Sequence, residues 1–215
     1  PTITPPPPPT STQGLGRRQR QMCIRDRNGE ELYFQSRGMD SRPLTTPSVP
    51  KSVSRETTFL EDLWDKRLLL AHLAYLCDRL TLPMRKGRLF AHIIEVKVRY
   101  SDFQTEARRR LLLSPLQDMG EIFRIAKELF LQLFSGSRLS LRLVGVKATD
   151  LVRARPLSLF EPYSERRERL GIAVDEVREK HGFGSLLTVR EKMLESVYRF
   201  EKDRGFVLKT ASLTK

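Results

Sequence analysis

Basic and hydroxyl side chains are concentrated in the stretch His92 to Leu113, HIIEVKVRYSDFQTEARRRLLL. Three consecutive arginines, Arg108 to Arg110, follow a segment in which charged residues alternate with apolar ones. Guanidinium and ammonium groups that are held on a rigid scaffold beside hydroxyl donors suit the phosphates of a polyanion. The alternative is an edge hairpin whose charges stay solvated and prevent aggregation. These residues alone leave both interpretations open.

The same stretch has the pattern of a β-hairpin. Apolar residues occupy every second position from Ile94 to Tyr100, which is the period of a strand buried on one face. Residues Ser101 to Phe103 supply turn chemistry, and the second strand runs from Gln104 to Leu112. One face of this hairpin therefore requires a hydrophobic core, and the other can carry the cations.

The flanking segments complete an α+β fold. We predict, in order, a strand at Lys51–Phe59, a helix at Leu60–Leu80 ended by Pro83 and Gly87, the hairpin, a helix at Asp118–Phe134, and a strand at Leu139–Val152 with Gly145 as a candidate bulge. The order β-α-β-β-α-β predicts a four-stranded sheet with two helices on one face. On the other face we expect a basic group to gather: Lys97, Arg99, Arg108, Arg110 and Arg142.

The rest of the chain is organised around this domain, residues 51–153. Residues 1–27, with a five-proline run and the adapter-like segment QMCIRDR, are predicted to be disordered and are interpreted as foreign to the gene. Residues 28–50 combine a short helix ended by Gly38 with a proline-rich linker. A short apolar motif lies in 154–163, and a helical extension and tail occupy 164–215, with helices at Ser164–Lys180, on which Leu170, Val174 and Val177 share one side, and at Arg190–Lys202.

Composition limits the possible functions. The 215 residues carry a formal net charge of +13, which favours a nucleic acid or an anionic surface as partner. Cys23 and Cys77 form neither a disulfide framework nor a metal site, and no apolar run is long enough for a membrane span. No nucleotide-binding loop, nucleophile elbow or zinc-protease motif occurs. The residues therefore predict a binding module without catalytic or metal residues, in a reducing compartment, and we expect a cytoplasmic monomer.

Five segments resemble the C-terminal part of a Y-family translesion DNA polymerase of the bacterial DNA polymerase IV type, over about Gly29 to Leu186. They are RGMDSRPL (Arg37–Leu44), KSVSRETTF (Lys51–Phe59), VKVRYSDFQTEARRRLL (Val96–Leu112), LRLVGV (Leu141–Val146) and PLSLF (Pro156–Phe160). The second and third are characteristic of the little-finger, or polymerase-associated, domain. The likeness of EELYFQS (Glu30–Ser36) to a protease tag is then a coincidence, because the thumb pattern continues through Arg42.

The resemblance implies that the open sheet face grips the phosphate backbones of template-primer duplex DNA without reading sequence, in DNA repair during the SOS response. The matching residues are Ser52, Ser54, Arg55, Lys97, Arg99, Thr105, Arg108, Arg110 and Arg142. The palm domain, which holds Mg²⁺ in this family, and the fingers have no counterpart here. We therefore expect part of a longer polymerase that needs no cofactor of its own and is inactive alone.

PLSLF resembles the sliding-clamp-binding pentapeptide QLSLF of this family. Leu157, Leu159 and Phe160 match its apolar anchors, whereas Pro156 replaces the glutamine that provides the polar anchor. A bacterial sliding clamp is therefore a second expected partner, and an apolar clip that packs on its own domain is the alternative. For the whole domain, the alternative is a basic RNA-binding module, although such a sheet normally exposes aromatic side chains for base stacking.

Overall fold

The computed structural model describes residues 28–40, 42–43, 50–135, 139–153, 165–201, 203 and 205–206. The chain divides into two units, Pro1–Ser48 and Val49–Lys215. In the first unit, helix α1 (Asn28–Gln35) is followed by Gly38 in the left-handed region, at φ +74°, as the sequence predicted. The predictions for residues 1–27, for most of the linker and for the apolar motif in 154–163 lie outside the described residues.

The second unit is built on a four-stranded antiparallel sheet. Its strands are β1 (Ser52–Leu63), β2 (Phe90–Tyr100), β3 (Thr105–Leu116) and β4 (Leu141–Val152), in the spatial order β1-β4-β2-β3. Helices α2 (Lys66–Lys86) and α3 (Met119–Phe134) pack on one face and enclose the main hydrophobic core. The predicted α+β class and the order β-α-β-β-α-β are confirmed.

Capping residues fix where these helices begin. The side chain of Asp118 accepts a hydrogen bond from the Glu121 amide at 2.9 Å, as expected of an N-cap, and α3 then buries one continuous apolar stripe. Asp65 caps α2 in the same way, accepting from the Arg67 amide at 2.8 Å. Residues 60–63, predicted to be helical, instead continue β1. The predicted start of α2 was wrong because the local N-cap outweighs the apolar spacing around it.

Pro83 lies inside α2 and does not end it. Proline has no N–H, so residue 83 cannot donate the helical hydrogen bond that the Arg79 carbonyl would normally accept. The Nε of Arg55, on β1, donates to that carbonyl at 3.4 Å. The helix therefore continues to Lys86, and the neighbouring strand compensates for the proline.

A C-terminal extension covers the outer side of α2. It comprises helix α4 (Glu165–His181), a 3-10 turn (Phe183–Ser185), the short helix α5 (Val189–Lys192), a 3-10 turn (Met193–Ser196) and a small hairpin of β5 (Phe200–Glu201) and β6 (Gly205–Phe206). A second hydrophobic cluster joins it to α2 through Tyr75, Phe183 and Phe206. The predicted helix at Arg190–Lys202 is wrong beyond its first turns, because Phe200 pairs with Phe206 in the hairpin.

Helix α4 is attached to α2 by ion pairs. Arg85 binds both carboxylate oxygens of Asp175, at 2.6 and 2.7 Å. The sequence predicted an apolar packing side on α4, but Leu170 is 64% exposed and Val177 is 38% exposed. That interpretation was wrong, since the face toward α2 carries charges that have partners there.

A second ion pair between α4 and α2, formed by Arg178 and Asp78, is buried and lies beside the carboxyl group of Glu191. Arg178 binds both oxygens of Asp78, at 2.9 and 2.6 Å, and both side chains are 6% exposed. Glu191 is completely buried and accepts a hydrogen bond from the Thr188 amide at 2.7 Å. Burial, with the neighbouring Asp78, raises the pKa of Glu191 to about 7. Arg178 therefore neutralises Asp78 directly, and its charge acts only weakly on Glu191.

Candidate nucleic-acid interface

The strand register defines the face of the sheet on which no described helix packs. Residues that face each other across an antiparallel ladder point to the same side, and in β2 the buried residues alternate with partly exposed ones. The open face consists of four rows of four residues, each written in the strand order β1, β4, β2, β3: Ser52, Thr149, Ile93, Leu111; Ser54, Lys147, Glu95, Arg109; Glu56, Gly145, Lys97, Ala107; Thr58, Leu143, Arg99, Thr105. We use the name open face for this set.

Five of the sequence-predicted contacts lie on the open face. Ser52 and Ser54 are exposed on the edge strand β1, and Lys97 and Arg99 lie two residues apart on β2. Thr105 faces Arg99 across the hairpin and accepts a hydrogen bond from its Nε at 2.9 Å. This hydrogen bond fixes the orientation of the Arg99 guanidinium above the sheet.

Two of the arginines that we expected on the open face lie on the opposite side. Arg108 faces Val96 and Arg110 faces Ile94, and both of those β2 residues belong to the core beneath the helices. Their expected place on the open face was wrong, because the middle arginine of the run, Arg109, is in phase with that face. The sequence-based prediction that Arg108 and Arg110 contact DNA is untested, and the register favours Arg109 in their place.

Arg110 belongs to a chain of ion pairs. Its guanidinium binds Glu128 on α3 at 2.6 Å, and Arg124 joins Glu128 to Glu121, which binds Arg167 of α4 at 2.7 Å. The hydrogen bond from Arg110 lowers the pKa of Glu128, and the hydrogen bond from Arg167 lowers the pKa of Glu121. Arg110 therefore links β3 to the helices, which is a structural role.

Arg142 and Arg55 have partners at the margins of the sheet. Arg142 occupies the irregularity where the register of β4 shifts, so the bulge is there and not at Gly145 as predicted. Its guanidinium lies 4.7 Å from the centre of the exposed Phe103 ring and 3.6 Å from Asp62. Arg55 points to the helix side and donates to the Arg79 carbonyl. Both remain predicted contacts.

The hairpin turn sets the register on which the open face depends. The Tyr100 amide donates to the Gln104 carbonyl at 2.9 Å, and the Asp102 side chain accepts from the Gln104 amide at 3.0 Å. Phe103 adopts φ +68°, the left-handed conformation that closes the turn. Because Arg99 consequently faces Thr105, each β3 residue from Thr105 to Leu111 is assigned to a face.

Sequence reasoning missed four charged members of the open face. Arg109 and Lys147 add cations on β3 and β4, and Glu56 and Glu95 add carboxylates on β1 and β2. Counting outward from the turn in steps of two would have selected Arg109. The other three could be assigned to the open face only from the pairing of β4 with β1 and β2, which joins segments about 50 to 90 residues apart in the chain. They are Lys147, Glu56 and Glu95.

In the described residues, the α+β sheet domain has helices on one face and four cations on the other, an arrangement suited to binding a polyanion. A family model described as the impB/mucB/samB family C-terminal domain matches residues 50–159. The chain belongs to this family, the Y-family DNA polymerases, and carries the family's C-terminal domain, as the resemblance predicted. No helix in the described part of the chain is long and apolar enough to cross a membrane.

Two curated relatives show the extent of the match. The DNA polymerase IV of Dehalococcoides mccartyi (strain CBDB1) is 35% identical over 161 residues, which are 75% of this chain and 41% of that protein. The DNA polymerase IV of Desulfatibacillum aliphaticivorans is 35% identical over 165 residues, 74% of this chain and 41% of that protein. The chain therefore spans about 41% of the length of these relatives.

Two solved structures match part of this chain. An insertion ternary complex of Dbh DNA polymerase matches 64% of this chain and 39% of its own with a TM-score of 0.44 and 16% identity. DinB from Sulfolobus solfataricus matches 61% of this chain and 38% of its own with a TM-score of 0.41 and 16% identity. The family assignment rests on the sequence comparisons alone.

Proposed function

We propose that the open face binds the phosphate backbones of template-primer duplex DNA as the little-finger part of a translesion DNA polymerase. The observation that carries this proposal is the arrangement of four cations, Lys97, Arg99, Arg109 and Lys147, on three adjacent strands that no helix covers in the described part of the chain. Serine and threonine hydroxyls surround them as further phosphate donors. Membership of the family, whose curated relatives are named DNA polymerase IV, supports the same partner.

The composition of the face favours binding without sequence readout. The sixteen open-face positions include no aromatic side chain for base stacking and no asparagine or glutamine for bidentate contacts with adenine. Within the described residues, no three His, Cys, Asp or Glu side chains are grouped so as to hold a metal ion, and the proposal requires none. The alternative of an RNA-binding module has no support from the family match.

Binding to a fluorescently labelled template-primer duplex in a series of salt concentrations tests this proposal. Four phosphate contacts give a slope of log K against log salt of about −3.6, since each contributes about 0.9. A duplex of the same length and shuffled sequence should bind equally well. A salt-independent affinity, or a clear preference for RNA of the same sequence, would contradict the proposal.

A pair of variants locates the binding site. Lys97→Ala with Arg99→Ala removes two open-face cations and should halve the slope, to about −1.8. Lys86→Ala with Lys180→Ala removes the same charge from α2 and α4, on the opposite side of the sheet, and should leave the slope unchanged. Equal losses in the two variants would show that net charge alone governs binding.

We also propose that Leu157, Leu159 and Phe160, which lie outside the described residues, bind a sliding clamp. Support comes from the likeness of PLSLF to the family pentapeptide, and each apolar anchor can contribute about 2 kcal/mol on burial. Pro156→Gln should strengthen clamp retention in a pull-down, because it restores the polar anchor. Phe160→Ala should abolish retention without changing DNA affinity. If neither variant alters retention, the motif is a packing clip.

A further inference from the structure

One ion pair on the open face joins strands that are not neighbours. The Nζ of Lys97 on β2 contacts the Oε2 of Glu56 on β1, although β4 lies between these strands. Two strand spacings separate their backbones by about 10 Å. The two side chains therefore lean toward each other across the sheet and meet above β4.

Gly145 makes this contact possible. It faces Glu56 on one side and Lys97 on the other, so it lies directly beneath the ion pair. A Cβ at this position would lie 2.9 Å from the Cβ of Glu56, a distance that side chains do not tolerate. The absence of a side chain at Gly145 thus leaves the space in which the carboxylate and the ammonium group meet.

The ion pair engages Lys97, one of the four cations that the proposed function assigns to DNA phosphates. A phosphate that binds Lys97 must displace the carboxylate of Glu56 or share the ammonium group with it. We propose that Glu56 is an internal competitor of DNA phosphate, which neutralises Lys97 in the free protein and lowers the affinity of the open face for the duplex. This inference rests on the proposed function, and Glu56 acts in it through Lys97.

The exposure of the pair makes the competition reversible. The side chain of Lys97 is 35% exposed and that of Glu56 is 51% exposed, so water can solvate either group when they separate. Exposed ion pairs are weak, and a duplex presents phosphates at high local density. DNA therefore wins the competition, but breaking the ion pair offsets part of the affinity gained from the Lys97 contact.

Glu56→Gln tests the competition because it removes the charge and keeps the shape. We expect a gain in duplex affinity of about two- to fivefold at 50 mM salt, the range by which exposed ion pairs shift an equilibrium. The salt slope should stay near about −3.6, because the number of phosphates contacted does not change. Glu56→Ala should give the same gain, so that a local effect of the amide is separated from loss of the carboxylate.

Glu179→Gln is the matched control. Glu179 pairs with Lys86 at 2.8 Å on the helices, so this variant also adds one positive charge and also frees a lysine, away from the open face. Its duplex affinity should stay unchanged. Equal gains in Glu56→Gln and Glu179→Gln would overturn the inference in favour of a net-charge effect.

The Lys97→Ala background completes the test. There, Glu56→Gln should bring little further gain, because no ammonium group remains to be released. A full gain in this background would overturn the inference, since Glu56 would then act by repelling phosphate directly. Failure of the unchanged protein to bind the duplex would refute the proposed function. Binding by the unchanged protein without any gain in Glu56→Gln would refute this inference alone.

Discussion

The three consecutive arginines on β3 provide the sharpest test of the open face. Arg109 faces Glu95 on that side, whereas Arg108 faces Val96 and Arg110 binds Glu128 at 2.6 Å. Single alanine variants at these three positions remove the same charge from neighbouring residues of one strand. Only Arg109→Ala should weaken the proposed binding of duplex DNA, because only its guanidinium lies among the open-face cations.

The magnitude follows from the number of cations. Loss of one of four contacts changes the salt slope from about −3.6 to about −2.7. Between 50 and 200 mM salt the affinity of the unchanged protein should then fall about 150-fold and that of Arg109→Ala about 40-fold. If the contact contributes nothing at 1 M salt, Arg109→Ala binds about 15-fold more weakly at 50 mM and about fourfold more weakly at 200 mM.

Fluorescence anisotropy with a labelled duplex measures all three variants under identical conditions, with a thermal melt of each as the folding control. Arg108→Ala should stay within about twofold of the unchanged protein, since it removes none of the four contacts. Arg110→Ala should cost at most about 1 kcal/mol of stability, as half-exposed ion pairs do. Equal losses of affinity in Arg108→Ala and Arg109→Ala would refute the reasoning and indicate that the duplex lies along the sheet edge.

Three further predictions concern how the domain is held together. Arg178→Ala should lower the free energy of unfolding by about 3–5 kcal/mol in urea denaturation, because it leaves the buried carboxylate of Asp78 without its cation. Burial raises the pKa of Glu191 to about 7, so the folded state retains a proton that the unfolded state releases; this group should withdraw about 3 kcal/mol of stability between pH 4.5 and 8, measured as the difference between the pH profiles of the unchanged protein and Glu191→Gln. Arg55→Ala should destabilise a Pro83→Ala background less than the unchanged protein, because an alanine N–H can reach the Arg79 carbonyl.

Controls for these predictions come from the same elements. Arg169→Ala, an exposed arginine on α4, should change stability by less than about 0.5 kcal/mol, and a loss equal to that of Arg178→Ala would contradict the ion-pair argument. Burial lowers the pKa of His72 to about 4, so stability also falls on acidification below its ordinary range. This contribution is common to the unchanged protein and Glu191→Gln, so their difference isolates Glu191. An unchanged pH profile in Glu191→Gln would contradict its assignment.

Local signals in the sequence determined the elements of the sheet domain. Alternation from Ile94 to Tyr100, turn residues at Ser101 to Phe103 and the stripe after Asp118 are each read over fewer than twenty residues, and the structure confirms a hairpin and a helix there. The order of these elements then limited the fold to one sheet with helices on one face. The segments that resemble the family indicated the kind of partner, which a hydrophobic periodicity cannot reveal.

Tertiary structure decided which charges act together. The run Arg108 to Arg110 is uniform in sequence, yet the register of β3 on β2 divides it between two faces. Glu56 and Lys97 meet only because β4 inserts between their strands and places Gly145 beneath them. Arg178 on α4 has the sequence of a solvated arginine but is buried against Asp78. In each case the deciding partner is distant in the chain, so its effect depends on packing and not on local pattern.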